Sequence, residues 1–290
     1  MLKYTKELSN KNKLQTESTC EANYVKEADG QVFKWVFSGR EECAVGNRTL
    51  SVHPDSFLIL NQGSKYTEKI DSITPVNTLT IGFNQAFITD FNNSNQCTID
   101  ALLCNEGKET EQPQFMEAIY PFTGDMRFNI LHLKAQIDQG VSDELLINEY
   151  LHHCLLNYYK IYKKEVLATA EKLSFAKTKT RTEVLKRLSV AKDYIISNYD
   201  KNFSLEDVAS AACLSVNHLL RTFKEAYNDS PHQYLTNVRL SRAKYLLRTS
   251  NCHINEIVSL VGFECPSSFI RLFKTKFKIT PINYKKNRLN

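Results

Sequence analysis

The sequence predicts an α+β protein: a β-rich N-terminal domain followed by an all-α C-terminal domain with two helix-turn-helix units. Three observations predict it. Short β-branched and aromatic runs separated by turn residues fill roughly residues 20–85, apolar residues switch to helical spacing near 127, and one cap-and-turn pattern occurs twice after residue 200. The 290 residues suffice for two ordinary domains, placed at 1–175 and 176–290.

In the first domain, residues 31–37 (Gln-Val-Phe-Lys-Trp-Val-Phe) read as a strand closed by a turn at Ser38, Gly39 and Arg40. Residues 49–52, 56–60 and 78–83 read as further strands. His53, Pro54 and Asp55 build one turn, and residues 61–64 (Asn-Gln-Gly-Ser) another. Helix follows from about 127 to a stop at Gly140. Asp143 then caps a helix of about 25 residues, with Ile147, Tyr150, Leu151, Cys154, Leu155, Tyr158, Ile161 and Tyr162 on its apolar face. That helix has two readings, a cover on the β-domain or a dimer interface in which Tyr150, Tyr158, Tyr159 and Tyr162 form the core. The dimer is preferred. Residues 171–182 read as a polar linker or helix break, and everything from Glu183 as short helices.

Composition narrows the function classes. With 42% apolar and 24% charged residues the chain can bury real cores. No apolar run reaches the roughly 18 residues of a membrane span, and the N-terminus lacks the apolar stretch of a signal peptide, so a cytoplasmic location is expected with no membrane partner. The eight cysteines form no Cys-x-x-Cys pair and are expected to be reduced thiols. No catalytic or metal-ligand cluster is visible: His53 and His132 stand far apart, and His152 and His153 project about 100° apart on a helix. An enzyme is not expected, nor is a cofactor. The charge is asymmetric. Residues 175–290 carry 20 Lys and Arg against 9 Asp and Glu, a net of +11, whereas residues 1–174 carry 17 against 23, a net of −6. A basic C-terminal domain points to a polyanionic partner.

The repeated pattern carries the argument. Ser204 caps a first helix with Leu205, Val208, Ala209 and Ala212 inward. Ser215 caps a second with Leu219 and Phe223 inward, giving helix-turn-helix geometry over about 204–224. Over about 254–274, Ile254, Ile257, Val258 and Val261 line a helix, Gly262 and Phe263 make the corner, and Pro266 opens the next helix with Phe269, Leu272 and Phe273 inward. Each unit ends in Phe-Lys, an aromatic, Ser/Thr-Pro and a Tyr three residues later (Phe223 to Tyr234, Phe273 to Tyr284). A connecting helix between them carries Arg239, Arg242, Lys244 and Arg248.

These residues resemble the AraC/XylS family of transcription regulators over roughly 185–290. The specific elements are Ile254-x-x-Ile257-Val258-x-x-Val261-Gly262-Phe263, Phe269-x-Arg271-x-Phe273-Lys274 and Thr280-Pro281-x-x-Tyr284. Asn228 and Lys278 stand where the family often has Gly, and Lys285 where it often has Arg. The resemblance implies that the second helix of each unit enters a major groove of double-stranded DNA. Asn217, Leu220 and Arg221 in the first unit, and Ser267, Ile270 and Arg271 in the second, align with groove-facing positions. Arg can pair with guanine, Asn with adenine, and Leu or Ile can touch a thymine methyl. Lys224 and Lys274 are expected at phosphates. Arg221 and Arg271 have a second reading, as solvated charges or ties between helices, and Leu220 a core-facing one. The resemblance also implies a cupin-like N-terminal domain with dimerisation helices, which residues 53–63 resemble less specifically. With it come a small-molecule effector such as a sugar or aromatic acid, a homodimer, and RNA polymerase as a further candidate partner.

Overall fold

The computed structural model describes residues 2–96, 115–175 and 177–287. Cys97 and Cys104 lie outside them. The chain divides into two compact units, Met1–Glu165 and Val166–Asn290.

The first unit is an antiparallel sheet of β1 (Leu2–Glu7), β2 (Lys13–Glu27), β3 (Gln31–Ser38), β4 (Glu41–Val45), β5 (Arg48–Val52), β6 (Ser56–Leu60), β7 (Lys65–Phe83) and β8 (Ile119–Pro121). The strands order as β1-β2-β7-β3-β6-β8, with β4 joined to β5 and β7. β7 organises the sheet. β2 runs along its length, broken by a bulge between Thr19 and Glu21. On its other side β4 pairs with the first half and β3 with the second. Both faces of β3 are buried. Phe33 and Trp35 face an aromatic cluster with Phe57, Tyr120 and Tyr158. Lys34 faces the other way and ion-pairs with Glu41 of β4 at 2.8 Å and with Glu68 in the first half of β7. Neither acid sits opposite Lys34 in a ladder, so the sheet curls around this cluster.

The expected strands at 31–37, 49–52 and 56–60 are present, but three features differ. β1 and the first half of β2 precede the expected strand region, β4 lies inside it but outside the individually expected strands, and residues 78–83 are only the end of a 19-residue strand. β1 is a mostly exposed edge strand of polar residues, which carries no alternation signal. In β4 and β7 the inward positions include Glu41 and Glu68, which break the apolar alternation that marks a strand.

Helix α1 (Gln85–Gln96) follows the sheet, then α2 (Gly124–Asp138) and α3 (Glu144–Tyr162). Gly140 takes φ +76°, and the Asp143 side chain accepts from the Leu145 and Leu146 amides. α3 continues through a π-helical turn (Lys163–Leu167) into α4 (Ala168–Lys172). Tyr158 is buried, stacked on Phe115 and edge-on to Phe33. Tyr159 stacks on Phe91 and donates to Asn92 Oδ1 at 2.8 Å. These two tyrosines therefore cover their own domain; the expectation that they form an interface core is corrected, because their rings are spent on the sheet and α1.

The second unit contains α5 (Thr178–Ser197), α6 (Leu205–Ala211), α7 (Val216–Tyr227), α8 (Pro231–Thr249), α9 (Ile254–Leu260), α10 (Pro266–Phe277) and α11 (Pro281–Lys286). α5 is another correction. Helix starts inside the expected linker and runs 20 residues, because Leu185, Leu188, Ala191 and Ile195 keep helical spacing with no Gly or Pro between.

Candidate nucleic-acid interface

Local chemistry sets α7 and α10 in place. Ser204 and Asp207 form a reciprocal capping box: the Asp207 amide donates to Ser204 Oγ at 3.1 Å, and the Ser204 amide to Asp207 Oδ2 at 2.8 Å. Those bonds to Ser204, backbone first, hold the Asp207 carboxyl below its ordinary range. α6 then breaks at Cys213, φ +53°, and Ser215 restarts the chain by accepting from the His218 amide at 3.3 Å. α7 buries Leu219, Phe223 and Ala226 completely. Asn228, φ +60°, ends it, and Ser230 with Pro231 opens α8.

The second unit repeats the construction with different atoms. The His253 amide donates to Glu256 Oε2 at 2.6 Å at the start of α9. Gly262 turns the corner at φ +80°, Cys265 precedes Pro266, and α10 buries Phe269 and Phe273. Lys278, φ +61°, ends α10, and Thr280 accepts from the Asn283 amide to open α11. The Cys265 thiol is exposed and lowered to about 7, by the Ser267 hydroxyl first (3.1 Å away) and then by the Ser268 amide and hydroxyl and the Ser267 amide.

The expected reading residues fall on one face of each helix. Asn217, Leu220, Arg221 and Lys224 are spaced i, i+3, i+4, i+7 along α7, opposite Leu219 and Phe223. Ser267, Ile270, Arg271 and Lys274 repeat that spacing on α10, opposite Phe269 and Phe273. All are exposed except Leu220, which is half-buried. Among the described residues, the side chains of Asn217, Arg221, Lys224, Arg271 and Lys274 have no hydrogen-bond or ion-pair partner. Arg221 and Arg271 are therefore not ties between helices. Ser267 is engaged with Cys265. His218 is half-buried and packs against Phe175.

The other cations of this unit behave differently. Arg187 donates to the Cys213 carbonyl at 2.9 Å, Lys276 to the Asn237 carbonyl at 3.0 Å, and Lys285 to the Cys252 carbonyl. Lys244 lies over the Phe277 ring, and Arg242 is buried over Tyr199. In the sequence Arg239, Arg242, Lys244 and Arg248 stand out only as positive charge on the connecting helix. Nothing in their spacing reveals which of them donates to a carbonyl. A carbonyl anchor satisfies the donor without cancelling its charge, so Lys276 and Lys285 still contribute to the field around α7 and α10, whereas Arg187 is also paired with Glu183 at 3.0 Å.

Comparison with known proteins agrees with this geometry. The family described as Helix-turn-helix domain matches residues 208–287. The lactose operon transcription activator of Staphylococcus xylosus is 28% identical over 165 residues, 54% of each chain. The raffinose operon transcriptional regulatory protein of Pediococcus pentosaceus is 22% identical over 281 residues, 93% of this chain and 91% of that one. Among solved structures, an AraC-type transcriptional regulator from Chromobacterium violaceum is 28% identical, covering 35% of this chain and 91% of its own, with a TM-score of 0.34. The chain spans about half the length, or less, of the first curated relatives it matches. The second unit is a helix-turn-helix domain of the kind found in DNA-binding transcription regulators. Over residues 208–287 the chain is thus similar to the helix-turn-helix regulators of the AraC type.

Proposed function

We propose that this protein is a sequence-specific DNA-binding transcription regulator of the AraC/XylS type, acting in the cytoplasm as a homodimer under the control of a small-molecule effector. The observation that carries the DNA-binding part is the pair of matched faces. Two capped helices present side chains of equal spacing, with their cations unpaired, in a unit whose sequence carries a net +11. Arg221 and Arg271 suit guanine edges, Asn217 adenine, Leu220 and Ile270 thymine methyls, and Lys224 and Lys274 phosphate.

Effector control is the part that the N-terminal unit would supply. Relatives named for lactose and raffinose operons make saccharides the first effector class to try, with aromatic acids second. Ligand would act by binding two conformations unequally. RNA polymerase is then the partner through which a bound regulator acts. A second reading, a β-domain that binds a protein without any ligand, is favoured by the sheet interior, where Phe33, Trp35 and Phe57 are fully buried.

The test is selection of the full chain on randomised duplex DNA at near-physiological salt, followed by titration of the winners with and without candidate sugars. Enrichment of a two-part motif is expected, together with an affinity change on adding one sugar class. Retention of all duplexes alike would end the DNA-reading proposal. Enrichment that no ligand alters would favour the second reading of the β-domain.

A further inference from the structure

We propose that Arg239 is the positioning residue that fixes the two reading helices at one spacing, so that DNA is recognised by both units together. This rests on the DNA-reading proposal above.

Arg239 lies in the middle of α8, the helix between the two units. It is half-buried, and its forked guanidinium is used in two directions. Nε donates to the Tyr199 carbonyl at 2.7 Å and Nη2 to the Lys201 carbonyl at 3.1 Å. Those carbonyls belong to the segment that leaves α5 and enters α6 through Phe203 and Ser204, with the Phe203 ring edge-on to Tyr194 of α5. The same guanidinium lies 5.9 Å from the centre of the Phe263 ring, in the corner of the second unit. Phe263 packs edge-on against Phe269, the buried anchor of α10, at 5.4 Å. One side chain thus joins the approach to the first unit to the corner of the second.

Gly262 shows how closely the joint is fitted. A Cβ there would stand 2.9 Å from Arg239 Nη2 and 3.0 Å from the Tyr199 carbonyl oxygen, at a φ of +80° that already disfavours a side chain. Burial lowers the Arg239 pKa, while Asp200 and Glu264 act in the opposite sense. A lysine could reach one carbonyl as a point charge but would lack the planar fork and its stacking face.

Rigid linkage makes the second contact effectively intramolecular, which raises affinity for a two-part site by about 10²- to 10⁴-fold over either part and makes it depend on spacing. A loosened joint keeps each part and loses the gain. The probes are the duplexes selected by the wild-type full chain, the same duplexes with either half scrambled, and a set with insertions between the halves. Arg239→Ala is expected to bind half-scrambled duplexes like wild type, to lose at least about tenfold on the intact site, and to respond less to insertions. Gly262→Ala, which crowds the joint from the other side, is expected to do the same, and Arg239→Lys to fall between. Helicity and melting temperature are read in parallel. Where alanine unfolds the unit, the folded lysine variant decides.

Equal losses on intact and half-scrambled duplexes would overturn the proposal, as would a folded Arg239→Lys with wild-type spacing dependence. If the wild-type chain selects no motif, the DNA-reading proposal fails instead.

Discussion

Lys34 in the sheet unit and Arg239 in the helical unit show two opposite ways of holding a cation away from full solvent. In the sheet, Lys34 is neutralised by acids: burial pulls its pKa down, but Glu41 and Glu68 more than reverse this and hold it well above the ordinary lysine value. Lys26 adds a second contact to Glu68 at 2.6 Å, and the two lysines pull the Glu68 carboxyl below its usual range against the upward push of burial. In the helical unit, Arg239, Lys276 and Lys285 are anchored on backbone carbonyls, while Arg187 takes both a carbonyl and the Glu183 carboxylate. An acid partner leaves no net charge, whereas a carbonyl partner leaves a full one. The first arrangement suits an interior, and the second suits a surface that must attract a polyanion.

The contrast can be broken by substitution, most severely at Lys34. Lys34→Met leaves Glu41 buried without its cation and Glu68 with Lys26 alone, and should cost about 3–5 kcal/mol in denaturant unfolding of the sheet unit. A loss below about 1 kcal/mol would mean that the acids are solvated or protonated there. On the reading face, Arg271→Ala should cost about 1–3 kcal/mol in binding a selected duplex and relax preference at one base pair. Lys274→Ala should weaken all sequences alike and reduce the salt slope by about one unit. Equal, sequence-independent losses for both would remove Arg271 from the readers. Lys276→Met removes a carbonyl-anchored cation without stranding an acid and should cost only about 0.5–1.5 kcal/mol of stability. A cost like that of Lys34→Met would erase the distinction between the units.

The mildest comparison is between two thiols. Cys43 is buried beside Glu41 and is pushed well above its ordinary value, by burial first and then by that acid. Cys265 is exposed and lowered to about 7. Thiolate forms as pH rises through the pKa, so iodoacetamide labelling of Cys265 should climb from pH 6 to 8 with a midpoint near 7, while Cys43 stays unlabelled. Because the folded pKa is depressed, the stability that the thiolate gives the helix start is present above the thiol's ordinary pKa and is lost as pH falls through about 7. Peptide mapping after labelling checks both, and a midpoint at the ordinary thiol value would show that Ser267 and Ser268 do not stabilise the thiolate.

The helical unit was far more legible than the sheet. Ser204, Ser215, Ser230 with Pro231, and Gly262 act within a few residues of themselves, so local sequence carries their signal. The buried faces of α7 and α10 followed from the spacing of Leu219, Phe223, Phe269 and Phe273. The sheet hid its strands where function or topology put charge inside: Glu41 and Glu68 point inward, and their partner Lys34 lies far away in sequence. One signal was available. A lysine flanked by Val32, Phe33, Trp35 and Val36 in a strand buried on both faces must find an acid. Which acid, and which carbonyl Arg239 would take, depended on packing that no spacing encodes.

The long strand β7 has a consequence for how the chain assembles. Its ladder sets Lys13 beside Gly82, and Glu42 beside Lys69, so almost the whole sheet waits on pairings between residues remote in sequence. The helical unit closes mainly through neighbours. Contacts of long sequence separation slow folding, so the part synthesised first is the later of the two to mature, and its unpaired edges are exposed to self-association in the interval.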